Sequence, residues 1–213
     1  MNILKKIIII FILFSIFFCL SAISYVDNIS NDLQKNIFRL HIVANSDSIE
    51  DQNLKYKVRD NIIKYMNSLC SNAKTKSEAM QIAENHSQEF YKIAKKTVEE
   101  NGFPYDINLN FGNFDFPTKD YGDISLPSGN YDALKIEIGN GNGQNWWCVM
   151  FPPLCFVDIS SGIVPDESKN TLKDSLSNEE EYILINEEKS SDIKFKFKLF
   201  ELFQNIKIKT AKK

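Results

Sequence analysis

The residues to question first about chemistry are two histidines and four cysteines. A metal site would need them at short fixed spacings, and no Cys-x-x-Cys or His-x-x-x-His pattern occurs, so no structural or catalytic metal is expected. A thiol hydrolase would pair Cys148 with His41 or His86, because a cysteine nucleophile needs a base to raise its thiolate fraction. No local signature supports that dyad, and Cys148 follows two indoles on a strand-like run, whereas reactive thiols favour helix N-termini or cationic settings. Gly139, Gly141 and Gly143 suggest a phosphate cradle. They lack a following Lys-Ser/Thr and lead into a strand instead of a helix, so they read as turn glycines. His86 lies four residues from both Ile82 and Phe90 on an inward helical face, the place of a packed residue. His41 sits on the polar face of a strand, where a solvated or hydrogen-bonded histidine is the plainer role than proton transfer. These residues point away from catalysis, and no cofactor or small-molecule substrate is expected.

The densest group of unusual residues is Gly139 to Asp158, GNGNGQNWWCVMFPPLCFVD, which holds both tryptophans of the chain. Glycine and asparagine suit a tight turn. Trp146 to Phe151 is bulky enough for a strand, and Pro152-Pro153 removes two backbone donors and ends the pairing. If the prolines turn the chain back, Cys148 and Cys155 could approach the ~5.5 Å between Cα atoms that a disulfide needs. The alternatives are one thiol left for a partner, or two buried thiols in an apolar strand. Neighbouring residues on a strand point to opposite faces, so one of Trp146 and Trp147 enters the core. The other, with Phe151, Pro152 and Pro153, would form an exposed aromatic patch of the kind that marks a partner site, unless helices cover both sides.

These residues need elements to hold them. Phe38, Leu40, Ile42 and Ala44 alternate with Arg39, His41 and Asn45, the pattern of a half-buried strand. Asn45-Ser46-Asp47-Ser48 breaks it, and Asp47 with Glu50 has capping-box spacing. Leu54, Val58, Ile62, Met66 and Leu69 then predict a helix over 49–69. A second helix is predicted over 77–100, with Ala79, Ile82, Ala83, Phe90, Ile93, Ala94 and Val98 inward and Gly102 ending it. Beyond Pro104 the period becomes two. Tyr105, Ile107, Leu109 and Phe111 share one face of a strand, 117–122 is a loop, 123–126 is extended and 127–130 turns. A strand over 131–138 follows, and the Gly/Asn turn brings 146–151 back to pair with it as a meander. Ser160 to Glu181 reads as a long acidic loop. Tyr182 to Ile185 is a short apolar run. Ile193, Phe195, Phe197 and Leu199 alternate with lysines as a strand would, turning helical near Leu202 and Phe203, before a basic tail over 207–213. The fold class is α+β: two amphipathic helices packed on a mostly antiparallel sheet.

Lys5 and Lys6 precede an apolar run from Ile7 to about Ser24, an export signal by its pattern. Ala22 and Ser24 carry the small residues of a cleavage site before Tyr25. The run also approaches the roughly 18 apolar residues of a membrane span, so retention as an anchor is the other outcome. Cys19 lacks the small residues that precede a lipidated cysteine. A net charge of −3 gives no basic face for nucleic acid.

Two blocks carry a resemblance. Arg39 to Ser48, with Asp51-Gln52, Leu54-Lys55 and Val58-Arg59-Asp60, forms the first. Pro117-Thr118-Lys119, Tyr121-Gly122, Leu126-Pro127, Gly129, Tyr131, Ala133-Leu134 and Gly143 through Asp158 form the second. Together they resemble the stage II sporulation protein R family over about residues 37–160. The resemblance implies a signal and not an enzyme. Such proteins are made in the forespore and exported into the space between the two sporulation membranes. There they activate a membrane-bound aspartic protease that processes pro-sigma-E in the mother cell. The chain then divides into a signal peptide or anchor over 1–24, an α+β signalling domain over 25–160 and an extension over 161–213, to which the resemblance carries nothing over. Trp146, Trp147, Cys148, Phe151, Pro152 and Pro153 become the candidates for contact with the protease. A secreted cysteine-dependent hydrolase of the cell envelope is the alternative.

Overall fold

A computed structural model describes residues 3–70, 72–121, 124–153 and 166–176, with backbone alone at 19, 22, 23, 25–29, 167 and 175. Cys155, the run 182–185 and the alternating segment 193–199 lie outside the described residues. In chain order the elements are α1 Ile3–Asn36, β1 Phe38–Val43, α2 Ile49–Cys70, α3 Lys76–Asn85, α4 Ser87–Glu100, β2 Ile107–Phe116, β3 Lys119–Tyr121, β4 Ile124–Leu126, β5 Gly129–Ile138, β6 Asn145–Phe151 and α5 Asp166–Ser175. The class is α+β, as its sequence pattern requires.

Four strands form one sheet in the order β2-β5-β1-β6, and β3 and β4 make a separate hairpin. β2 runs antiparallel to β5 along its whole length. β1 is parallel to β5, with Arg39 opposite Ala133, and antiparallel to β6, with Leu40 opposite Cys148 and His41 opposite Trp147. The expected hairpin of β5 with β6 is therefore not formed. β1, the first strand in the chain, is inserted between them, and the Gly/Asn turn arches over its end. Local alternation specifies strands, but it carries no information about which strand fills the place beside β5.

One face of the sheet packs on helices. Leu54, Val58, Ile62 and Met66 of α2 and Phe90, Ala94 and Val98 of α4 meet Phe38, Leu40, Ile42, Leu134, Ile136, Cys148 and Met150 in a single core. The predicted helix over 77–100 is two helices broken at His86, whose φ of −105° and ψ of 21° leave the helical path. His86 Nδ1 lies 2.8 Å from the Ile82 carbonyl, and the ring stands edge-on to Tyr65. α3 opens with Thr75 as its N-cap: Thr75 Oγ1 accepts from the Glu78 amide, and the Glu78 carboxylate accepts from the amide of Lys74 just before the cap.

The other face has a cover that periodicity did not reveal. Leu33 and Ile37 at the end of α1, Tyr121, Ile124 and Leu126 of the hairpin, and Leu172 and Leu176 around α5 pack over Phe116, Tyr131, Ala133 and Val149. Part of the 161–213 extension thus belongs to the folded core. β1 is buried on both faces for this reason, and Arg39 and His41, expected on a solvated face, are 0% and 7% exposed.

Candidate functional site

The two sequence blocks meet at the end of β1. The loop after β1 holds the turn between β5 and β6 through backbone groups: Gly143 N donates to Ala44 O at 2.9 Å and Asn142 N to Asn45 O at 3.2 Å. Asn45 Oδ1 accepts from Asn140 N at 3.0 Å, and Asp47 Oδ1 accepts from Gln144 N at 2.7 Å. Asp47 therefore clamps the turn, and the cap expected of it falls to Ser48, whose hydroxyl accepts from the Asp51 amide. Backbone geometry favours glycine in this turn. Gly139 has φ +58°, and a Cβ on Gly143 would collide with the Ser46 carbonyl.

Beneath the turn sit a buried acid and a buried base. Asp51 Oδ2 accepts from Asn45 Nδ2 at 2.8 Å and from Ser46 Oγ at 2.6 Å. Burial pushes the Asp51 carboxyl up, but donors on Ser46, Asn45, Tyr105 and Ser48 outweigh it and hold the group below its usual range. Lys55 Nζ donates to Gln52 Oε1 at 2.6 Å and to Gln144 O at 3.0 Å. Burial, reinforced by the charge of Arg59 and opposed by Asp47, lowers its pKa. Every polar group here is used to hold the loop and the turn together.

β6 starts from this clamp, and it presents its residues to two faces. Trp146 lies on the helix side, edge-on to Tyr56 at 5.5 Å with the Arg59 guanidinium 4.3 Å above its ring. Its Nε1 is buried and has no hydrogen-bond partner among the described residues. Trp147 lies on the other side, stacked on His41 at 3.8 Å and 19° and edge-on to Phe116. Both indoles and Pro153 are partly exposed, whereas Cys148, Phe151 and Pro152 are buried. Burial takes those three candidates off the surface in this state. The residues that join Trp146 at the surface are Tyr56, 36% exposed, and Arg59. Sequence reading missed them because they are one helical turn apart on a face that periodicity marks as solvated.

Cys148 is disulfide-bonded, and Cys70 is a free thiol whose pKa burial raises. Cys148 points into the helix-side core while His41 occupies the opposite face, so the sheet separates these two, and the disulfide leaves Cys148 no thiolate to pair with either histidine. His41 Nε2 donates to Asn145 Oδ1 at 2.7 Å. Burial lowers its pKa, with the Asn145 bond and Glu137 opposing and Lys135 and Arg39 reinforcing. Among the described residues no group of three potential metal ligands stands together.

Next to His41 is a second buried cation. The Arg39 guanidinium carbon lies 4.1 Å from the centre of the Phe116 ring, 4.7 Å from that of Tyr131 and 5.7 Å from that of Tyr121. Nη2 donates to Tyr121 Oη at 2.5 Å, while Nε and Nη1 have no hydrogen-bond partner among the described residues. Burial raises the pKa of both tyrosines, against the pull of Arg39. The first block thus supplies the cation, and the second supplies Tyr121 and Tyr131.

Both blocks lie inside a region that a family model recognises: that of stage II sporulation protein R matches residues 34–161. The chain belongs to the stage II sporulation protein R family. A relative named stage II sporulation protein R from Bacillus subtilis (strain 168) is 37% identical over 181 residues, covering 79% of this chain and 80% of the relative. No solved structure matches. The family boundaries begin within the last turn of α1 and end past β6, so they enclose the whole sheet and its clamp. The membership assigns the chain a part in sporulation.

Proposed function

We propose that the protein is an exported sporulation signal that activates a membrane-bound aspartic protease. It is made in the forespore and acts in the space between the two sporulation membranes, and the protease then removes the pro-sequence of sigma-E in the mother cell. The observation that carries this reading is the family membership over residues 34–161. The N-terminus supports the export step. Ile7 to Leu20 holds a succession of exposed large apolar side chains on α1, and the run from Ile7 to Ser24 would span ~27 Å as a helix, close to the thickness of a bilayer's hydrocarbon. Among the described residues no helix is long and apolar enough to cross a membrane; Cys19, Ala22 and Ile23 in the middle of the run are outside the side chains described. Cleavage before Tyr25 releases the domain, and retention leaves it tethered.

The protein acts by contact in this reading. Tyr56, Arg59 and Trp146 on one side of β6 and Trp147 on the other combine the residue types that dominate binding energy at protein interfaces. Replacing Trp146 and Trp147 together by alanine in sporulating cells should leave the protein exported but halt sigma-factor processing. Normal processing with both replaced would remove these residues as the contact. Normal processing in cells that lack the protein altogether would remove the signalling role itself.

A further inference from the structure

β2 stands at one end of the strand order, and among the described residues β5 is its only neighbour. Its ten residues pair with β5 in one unbroken register. Gly139 N donates to Asp106 O at 2.8 Å, which continues that register by one pair, so the even-numbered residues from Asn108 to Phe116 bond to β5. The N–H and C=O groups of Ile107, Leu109, Phe111, Asn113 and Asp115 therefore point away from the sheet. Among the described residues no backbone group meets them there.

Proteins blunt an open edge with lysine, proline, a bulge or a covering segment. Ile107 to Phe116 contains no lysine and no proline, and its register has no bulge. No charged side chain stands between Asp106 and Asp115. Ile107, Leu109 and Phe111 join the helix-side core, the last two only partly covered. Asn108 and Asn110 are exposed on the other face, where Asn110 Nδ2 donates to Asn108 Oδ1 at 2.9 Å. The run from Ile107 to Phe111 thus reads apolar, amide, apolar, amide, apolar from either end. A two-fold axis places residue i opposite j and j opposite i, so like types meet only if the pattern is symmetric about a residue whose backbone groups point outward. Leu109 is such a residue. A foreign strand would demand no symmetry of β2, so the pattern selects a second copy of this chain.

We propose that the protein forms a symmetric dimer in which β2 pairs antiparallel with β2 of a second copy, the two-fold axis passing at Leu109. Leu109 then faces Leu109 and Ile107 faces Phe111, which carries the helix-side core across the joint. Asn108 faces Asn110 on the other side. Asp106 falls opposite Gly112 and Asp115 opposite Phe103, so no acids confront each other. The joint is short, and the dimer is accordingly reversible. β6 is at the far end of the described strand order, so Trp146 and Trp147 stay uncovered on both copies.

Hydrogen exchange on the full chain in detergent, over about a hundredfold range of protein concentration, reads the joint directly. The amides of Ile107, Leu109 and Phe111 should slow by about tenfold or more as concentration rises, while those of Asn108 and Asn110, bonded to β5, stay slow throughout. Leu109→Lys sets two ammonium groups against each other on the axis and should abolish the concentration dependence. Leu109→Cys should cross-link to its own copy in air, since opposed Cα atoms ~5.5 Å apart suit a disulfide, and Asn113→Cys should not, the linked residues being identified by mass. If Leu109→Lys also frees the Asn108 and Asn110 amides, the two cysteine variants decide. The proposal is overturned if the three outward amides exchange at one rate at every concentration, whether fast or slow, or if both cysteine variants cross-link alike.

Discussion

Lys55 and Arg39 are both fully buried cations, and neither has an ion-pair partner among the described residues. Their surroundings are opposite. The Lys55 ammonium rests on the oxygens of Gln52 and Gln144 at the loop end of the helix layer. The Arg39 guanidinium lies among the flat faces of Phe116, Tyr121 and Tyr131, with two nitrogens that have no partner among the described residues. The difference follows from the two groups. An ammonium is a compact, strongly hydrated charge that needs acceptors, while a delocalised guanidinium is weakly hydrated and stacks on rings. In one region a charge is used for its hydrogen bonds, and in the other a large flat side chain fills space.

That contrast can be broken by substitution. Arg39→Ala empties a space among three rings and should lower stability by about 3–5 kcal/mol in urea unfolding. Arg39→Met keeps most of the volume and removes the desolvated charge, and should stay within about 1 kcal/mol of the parent. Equal losses in the two variants would mean that the charge itself holds the hairpin. Lys55→Met should behave differently from Arg39→Met and cost about 1–2 kcal/mol, because it removes the two hydrogen bonds to Gln52 and Gln144 that tie α2 to the turn. Ser48→Ala removes the cap of α2 and should cost about 1 kcal/mol, read from the same transition.

The smallest effect separates the two regions by pH. The His41 pKa is lowered from its usual 6.5, first by burial. The unfolded chain therefore binds more protons as pH falls below 6.5, and stability declines from there downward. Asp51 has the same sign, since its carboxyl is held below the usual 3.8 and its contribution is lost as pH falls further still. Unfolding midpoints at pH 7.5 and 5.5 should differ less in His41→Gln than in the parent. An unchanged difference would move that titration away from the face beside Arg39.

The helix-side region was the more legible of the two in sequence. Leu54, Val58, Ile62 and Met66 repeat at helical spacing on one stripe, so α2 and its buried face follow from local pattern alone. Arg39 and His41 read as solvated because alternation shows only that they share a face. Their cover comes from α1, the β3–β4 hairpin and α5, none of which is local to β1. The break at His86 was missed because Phe90, Ile93 and Ala94 continue the apolar series past it. Of the candidate contacts, Trp146 and Trp147 were placed on opposite faces by the rule that neighbouring strand residues diverge. The burial of Phe151 and Pro152 depends on packing that spacing does not encode.

The central position of β1 has a consequence for how the chain matures. Both of its neighbours in the sheet, β5 and β6, lie beyond residue 128. A polypeptide delivered N-terminus first, from a ribosome or through a membrane channel, presents its middle strand early and its partners late. The helices α2 to α4 can collapse meanwhile, but the sheet cannot begin until most of the recognised region has arrived. Delivery of this chain therefore runs ahead of the folding of its sheet.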